Sequence, residues 1–150
     1  MDDTNLIMKK ISHRGNLNGR IPERENEPNY VVEALALGYN CEIDVWVING
    51  DEYYLGHDEP TYQVEETFLE SNLLWCHAKN IDALEKMLKN KKIHCFWHEE
   101  DSFTLTSKGY IWTYPNNHIT KKSICVLPEI GDYTDLNCYG ICSDYIQNYK

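Results

Sequence analysis

The spacing of short apolar runs constrains the fold of this chain more than any other feature of its sequence. The runs are rich in β-branched and aromatic residues, and they are NLIMKKIS, CEIDVWVI, EYYLG, NLLWCHA, KIHCFWH, GYIWTYP, SICVLPE and YGICSDYI. Short runs of this composition are typical of β-strands rather than helices. The sequence therefore predicts a strand at each of these positions.

Helical patterns separate the first of these strands. The segment ENEPNYVVEALALG has Pro28 suited to a first helical turn and Gly38 as a stop signal. A second helix is predicted over residues 80–92, which carry an apolar stripe, and a shorter third helix over QVEETFLES. Strand, helix, strand, helix, strand is the order of right-handed βαβ units, so we expect a parallel sheet.

Two departures from simple alternation are predicted. The Asn49-Gly50 pair is a strong hairpin signal, so a small antiparallel excursion should follow the second strand. After KIHCFWH the predicted strand centres are only about 14 to 16 residues apart, too close for a full covering helix in each connection. The 150 residues are predicted to form a single domain.

The charge balance excludes some classes of partner. The chain has 24 acidic and 14 basic residues and a formal net charge of −10. Such a field repels phosphate backbones and anionic membrane surfaces at long range. We therefore expect neither nucleic acid nor stable membrane association, which also argues against a phospholipase acting on membrane lipid; protein partners stay undefined.

Cysteine placement bears on the compartment. Most of the six cysteines lie inside apolar runs and none forms a C-x-x-C pair. This placement favours small buried side chains in a reducing compartment over a zinc site or disulfides. The start of the chain also lacks the basic and apolar stretches of a signal peptide. We expect a cytoplasmic protein.

Polar residues close several of the predicted strands, and the pair Glu42 and Asp44 is the most informative. Residues two apart on a strand face the same side, so both carboxylates point together from an otherwise apolar segment. Burying two adjacent negative charges is costly unless a cation or guanidinium neutralises them. A hard-cation site is the favoured interpretation, and a solvent-exposed face is the alternative.

At this point the sequence resembles a known family. In order, the motifs are His13-Arg14-Gly15, Glu25-Asn26, Ala34, Gly38, Glu42-Ile43-Asp44-Val45 and Gly56-His57-Asp58. Their order and spacing resemble the glycerophosphodiester phosphodiesterase family of the phospholipase C-like phosphodiesterase superfamily. The later chain is similar more weakly, through His77 and Lys79 in CHAKN, through Trp112-Thr113, and through Asp144 in the last strand.

The resemblance implies a fold and an activity. The implied fold is α/β, a pared-down TIM-type (β/α) barrel with short connections in its second half and a small β-hairpin insertion after strand 2. A full barrel of this type has about 250 residues, so this chain would be a short member. The implied activity is metal-dependent hydrolysis of glycerophosphodiesters or similar small phosphodiesters.

Residue roles also follow from the resemblance. His13 and His57 would be the general acid and base, while Arg14 and Lys79 would neutralise and bind the phosphate. Glu42 and Asp44 would bind a divalent cation, with His77 at the position of the third ligand. Trp112 would contact the substrate, and Glu25 would either support the metal site or pair with Arg14.

His77 is a departure, because the family has a glutamate there. By resemblance the cation is Mg²⁺ or Ca²⁺, whereas a nitrogen ligand admits Mn²⁺ or Zn²⁺ and also raises the prospect of lost metal binding. A rival function is therefore a non-catalytic barrel remnant that binds a phosphorylated small molecule or a protein partner. His98, the last residue of the predicted strand KIHCFWH, is interpreted as a packing or solvent-exposed residue rather than a site residue.

Overall fold

Ten β-strands joined in a single sheet dominate the structure, a computed structural model that describes residues 8–149. The strands are β1 (Lys9–His13), β2 (Asn40–Ile48), β3 (Glu52–Leu55), β4 (Tyr62–Val64), β5 (Leu74–Ala78), β6 (Cys95–Trp97), β7 (Phe103–Leu105), β8 (Ile111–Thr113), β9 (Ser123–Val126) and β10 (Gly140–Ser143). The helices are α1 (Pro28–Ala36), α2 (Glu66–Leu69) and α3 (Ile81–Leu88), with short 3-10 helices at Pro128–Ile130 and Ile146–Asn148.

The sheet follows the order β4-β3-β2-β1-β10-β9-β8-β7, and β5 and β6 branch from β2. Parallel pairing links β6, β5, β2, β1, β10, β9 and β8 in that sequence. The antiparallel pairs are β2 with β3, β3 with β4, and β7 with β8. Within residues 8–149 no ladder joins β6 to β8, so the parallel series stays open between these two strands.

The prediction of a pared-down TIM-type barrel is wrong. The structure is a curled half-barrel sheet in which strands dominate, and helices do not alternate with them around a closed ring. Beyond α3, loops and short 3-10 helices connect the described strands. The chain after β6 turns back through β7, which pairs antiparallel with β8.

Most individual elements agree with the sequence prediction. The hairpin between β2 and β3 is present, with Asn49 at φ 55° and Gly50 at φ 85°, as a type I′ turn requires. The strand predicted over residues 5–12 begins outside the described residues. The first seven residues, on which the absence of a signal peptide was judged, also lie outside them. No helix in residues 8–149 combines the length and the apolar character needed to span a membrane.

The sheet has an apolar layer on each face. On the outer face α1 and α3 pack against β2 and β5, with a core that includes Val31, Ile43, Leu74, Ala83 and Met87. On the inner face the strands surround a second cluster, which includes Ile11, Trp75, Phe96, Trp112 and Ile124. Although β6 and β8 do not pair with each other, their Phe96 and Trp112 rings meet in this cluster at a 4.7 Å centroid distance. The sheet therefore curls around the cluster.

Asn80 connects α3 to the sheet. Its side-chain oxygen caps the helix by accepting from the Ala83 N–H at 3.0 Å, and also accepts from the Val47 N–H at 3.2 Å. Its side-chain amide donates to the Val47 carbonyl oxygen at 2.9 Å. One side chain thus satisfies the backbone N–H and C=O of Val47, which lies beyond the end of the pairing between β2 and β5.

We predict that Asn80→Ala lowers the free energy of unfolding by about 2 to 3 kcal/mol, because it removes a helix cap and leaves two β2 backbone groups without a partner. Urea unfolding followed by circular dichroism measures the change. The exposed Asn72→Ala is the matched control and should stay within about 0.5 kcal/mol of the parent. Equal losses in both variants would contradict this role of Asn80.

Candidate active site

A cavity of about 330 Å³ lies at the carboxyl ends of the parallel strands. It is lined by residues of β1, β2, β5, β6, β8 and β9 and of the loops that follow strands. Seven of the residues singled out in the sequence line it, namely His13, Arg14, Glu42, His57, His77, Lys79 and Trp112. Asp44 is buried directly beside them, while Glu25 lines a neighbouring cavity of about 300 Å³.

Strand register brings the central side chains together. His13 of β1 pairs with Glu42 of β2, and two residues further along, Asp44 pairs with His77 of β5. Odd-numbered residues of β2 face the outer helices, so Glu42 and Asp44 face the inner side, where they are 2% and 0% exposed. The predicted common face is therefore present, and it is buried rather than solvent-exposed.

The turn after β1 positions Arg14. Arg14 has φ 60° and Gly15 has φ 98°, so two successive residues adopt left-handed conformations. The Arg14 N–H donates to the Glu42 carbonyl oxygen at 2.9 Å, and the Arg14 carbonyl oxygen accepts from the Asn26 N–H at 3.1 Å. A Cβ on Gly15 would lie 2.5 Å from the Tyr30 ring, which explains a glycine there.

Only one of the two carboxylate oxygens of Asp44 accepts a hydrogen bond. Its Oδ2 accepts from Asn26 Nδ2 at 2.9 Å and lies 3.1 Å from Arg14 Nε. Its Oδ1 is buried without a hydrogen-bond partner and lies 3.2 Å from His77 Nδ1. Glu42 Oε1 is also buried without a hydrogen-bond partner.

The electrostatics of the carboxylate pair require a compensating positive charge. Burial, together with the neighbouring Asp44 charge, raises the pKa of Glu42 well above its usual range. Burial also acts to raise the pKa of Asp44, but the nearby His77 side chain and the charge of Arg14 outweigh it, so that pKa is lowered. Two ionised carboxylates at this depth are stable only with more positive charge than Arg14 supplies.

The donor set fits a divalent cation. One atom each of Glu42, Asp44 and His77 lies within 4.8 Å of the others. Two of these residues present buried carboxylate oxygens that no protein donor satisfies. Carboxylate oxygens and a histidine nitrogen are ordinary ligands of divalent metals, so the residues fit such an ion.

His13 has a fixed orientation that the sequence did not predict. Its Nδ1 lies 2.7 Å from Asp144 Oδ1, which also accepts from Asn16 Nδ2 at 2.9 Å. Since an ionised carboxylate only accepts, Nδ1 is the donor, and Nε2 faces the cavity 3.8 Å from Glu42 Oε1. Burial acts to raise the pKa of Asp144, but its hydrogen bonds with His13 and Asn16 leave it lowered.

His57 and Lys79 reach the same cavity from loops after β3 and β5. The His57 side chain is 42% exposed, and its Nδ1 lies 2.7 Å from Asp58 Oδ1. Partial burial and the Arg14 charge lower the pKa of His57. Trp46 Nε1 donates to the Gly56 carbonyl oxygen at 2.6 Å, which holds the loop that carries His57 against β2.

Glu25 acts as a structural partner for arginines. Its oxygens lie 3.2 Å from Arg14 Nη1 and 2.9 Å from Arg20 Nε, and Asn16 Nδ2 donates to it at 2.9 Å. Of the two interpretations of Glu25 from sequence, pairing with Arg14 is the one that this geometry favours. Burial acts to raise its pKa, but these donors outweigh burial and lower it to about 2.

His98 and Tyr114 complete the cavity wall and were not singled out as site residues. His98 is buried, its Nε2 donates to the Asp101 carbonyl oxygen at 2.6 Å, and its ring stacks on Tyr114 at a 4.1 Å centroid distance. The sequence signal was present, since His98 follows β6 as Arg14 follows β1. The unpredicted connection from β6 to β7 obscured which way that side chain points.

Comparisons of the chain with protein-family models, curated proteins and solved structures found no match. The residues of this cavity and the motif resemblance of the segment from Ile11 to Asp58 are therefore the basis for a functional interpretation.

We predict that Glu25→Gln destabilises the protein at neutral pH and that the difference from the parent shrinks as the pH falls. The lowered pKa means that ionised Glu25 stabilises the fold above about pH 4.5, and this contribution is lost towards about pH 2. Urea unfolding at several pH values measures it. The exposed Glu23→Gln is the control, and a constant difference between Glu25→Gln and the parent at every pH would contradict the prediction.

Proposed function

We propose that this protein is a metal-dependent phosphodiesterase acting on glycerophosphodiesters or similar small phosphodiesters. The observation that carries the proposal is the convergence of His13 and His57, two cationic side chains and a buried carboxylate pair at one cavity. Phosphodiester hydrolysis needs these three kinds of group, for proton transfer, for charge neutralisation on the phosphate and for cation binding. The motif resemblance supports the same chemistry.

His13 would serve as the proton acceptor for the attacking hydroxyl or water. Its proton on Nδ1 is engaged by Asp144, which leaves Nε2 facing the cavity to accept a proton. Asp144 is a positioning residue, since it holds the tautomer and the ring orientation and then stabilises the imidazolium that forms.

His57 would supply the proton that the leaving group needs. As the attacking oxygen bonds to phosphorus, the bond from phosphorus to the leaving oxygen breaks, and that oxygen takes a proton from His57. The net reaction consumes one water and releases an alcohol and a phosphomonoester. Partial exposure and the Asp58 contact suit a group that must regain its proton from solvent in each cycle.

Arg14 and Lys79 would neutralise the phosphate oxygens in the transition state. Arg14 is pre-oriented by Asp44 and Glu25, so its guanidinium needs little reorganisation to face an anion in the cavity. Glu42, Asp44 and His77 would hold the divalent cation, which when bound supplies further positive charge to the substrate oxygens. The inner-face wall around Trp112 would contact the organic part of the substrate.

The cavity volume of about 330 Å³ supports a small substrate rather than a polymer. The net charge of −10 supports the same restriction, because polyanions such as nucleic acid are repelled. All six cysteines are free and five of them are buried, which supports a reducing, cytoplasmic location.

Binding without turnover is the second candidate function. The observation that favours it is that two carboxylates already engage Arg14, which weakens the stabilisation that Arg14 can give to the additional negative charge of a transition state. Saturable binding of glycerol 3-phosphate by a protein that hydrolyses no diester with any divalent cation would establish this alternative.

We predict that the purified protein with Mg²⁺, Ca²⁺, Mn²⁺ or Zn²⁺ hydrolyses glycerophosphodiesters or bis(p-nitrophenyl) phosphate. His13→Ala should lower kcat by about 10² to 10⁴-fold, because it removes the proton acceptor. Asp144→Asn should lower kcat by on the order of 10²-fold with little change in KM, because it releases the orientation of His13. The exposed His118→Ala is the control, and absence of turnover with every cation would refute the proposal.

We predict that a divalent cation raises the melting temperature of the chelator-treated protein, because it relieves repulsion between Glu42 and Asp44. Glu42→Gln should abolish most of the rise while it increases the melting temperature of the metal-free protein, since one buried charge is removed. Differential scanning fluorimetry measures both effects. A rise of equal size in the parent and in Glu42→Gln would place the cation elsewhere.

A further inference from the structure

We propose that His77 makes this centre a mixed nitrogen and oxygen site, which binds Zn²⁺ and Mn²⁺ in preference to Mg²⁺ and Ca²⁺. The inference rests on the proposed function for the position of the cation, and it goes further by assigning the ligand atom as His77 Nδ1 and by naming the class of ion.

The tautomer of His77 is set by a backbone group. Its Nε2 lies 2.9 Å from the carbonyl oxygen of His98, and a carbonyl oxygen only accepts hydrogen bonds. Nε2 therefore carries a proton, and in the neutral ring the lone pair is on Nδ1. Metal-bound histidines commonly donate their second nitrogen to such a carbonyl, which fixes the ring and increases its basicity.

The plane of the His77 ring is set by packing. The ring stacks on Phe96 at a 5.1 Å centroid distance and an 8° interplanar angle, and the side chain is only 13% exposed. Rotation of the His77 ring about its Cβ–Cγ bond would break both this stack and the hydrogen bond to the His98 carbonyl oxygen. Nδ1 is therefore held in one direction before any ion arrives.

That direction is towards the two carboxylates. Nδ1 lies 3.2 Å from Asp44 Oδ1 and 3.8 Å from Glu42 Oε2. A neutral Nδ1 and a carboxylate oxygen are both acceptors, so their approach is favourable only with a proton or a cation between them. Ligand atoms bonded to one ion at about 2.1 Å stand roughly 3 to 3.5 Å apart, close to the spacing observed here.

The donor set disfavours hard cations. Mg²⁺ and Ca²⁺ select oxygen ligands, and the centre offers two carboxylates with a nitrogen in the third position. Glu25, another carboxylate of the motif set, is already engaged by Arg14, Arg20 and Asn16 and so does not restore an all-oxygen shell. Imidazole together with carboxylate suits Zn²⁺ and Mn²⁺ better.

The test is calorimetric titration of chelator-treated full-length protein with each of the four ions, without substrate. We expect the dissociation constant for Zn²⁺ to be at least about 100-fold lower than that for Mg²⁺ or Ca²⁺. His77→Glu should reduce this ratio to about tenfold or less, because it restores a carboxylate. His118→Glu makes the same substitution on an exposed loop and should leave the ratio unchanged.

Pulsed electron paramagnetic resonance of the Mn²⁺-loaded protein tests the ligand atom directly. Nitrogen modulation should be present in the parent and in His118→Glu, and absent in His77→Glu. His77→Gln adds no charge at that position, so it replaces His77→Glu if a third buried carboxylate prevents folding. We expect His77→Gln to lack the nitrogen modulation and to bind Zn²⁺ about 10 to 100-fold more weakly than the parent.

Equal affinity of the parent for Zn²⁺ and Mg²⁺, or nitrogen modulation that persists in both His77 variants, would overturn the inference. Because binding is measured without turnover, a nitrogen-ligated but inactive protein would support the inference and refute the proposed hydrolysis. Hydrolysis of diesters that is equally fast with Mg²⁺ and Zn²⁺ and is unaffected by His77→Glu would support the proposed hydrolysis and refute the inference about His77.

Discussion

The buried carboxylates of Glu42 and Asp44 set the main electrostatic requirement of this structure. They lie on the inner face of β2 with almost no contact with solvent, so each must be compensated by groups brought from elsewhere in the chain. Arg14 and Asn26 approach Asp44 from the segment before β2, and His77 approaches it from β5. Stable placement of the two charges therefore depends on the turn after β1, on the segment before α1 and on the pairing of β2 with β5.

The same groups connect cation binding to proton transfer. Arg14 joins Asp44 to Glu25, Asn16 joins Glu25 to Asp144, and Asp144 holds His13. Because each link is an ion pair or a charge-assisted hydrogen bond in a poorly solvated region, the positions of its members depend on one another. The aromatic inner cluster beneath this network excludes water from the opposite side and so strengthens these interactions.

Much of the local structure was predictable, since period and turn chemistry act over a few residues. Eight of the ten described strands, the Asn49-Gly50 hairpin and the helices α1 and α3 lie where apolar runs and periodicity place them, whereas β4 and β7 were not predicted. That the sheet stays open was not predictable from these signals, because closure depends on whether β6 and β8 can pair and on what the chain between them does. There β7 forms an antiparallel pair with β8 and the parallel series stays open. Asp144 and His98 were missed as site residues for the same reason, since their roles depend on which strand ends become neighbours.

The sequence by itself determined the positions of most strands and the shared face of Glu42 and Asp44, because side-chain alternation is a local property. The resemblance of its motifs to a known family was the basis for grouping His13, Arg14, His57, His77 and Lys79. Only the tertiary structure decided that the sheet curls without closing, that Glu25 pairs with arginines, that Asp144 orients His13, and that His77 points Nδ1 at the carboxylates. These features depend on register between strands distant in sequence and on hydrogen bonds across them, which local pattern does not specify.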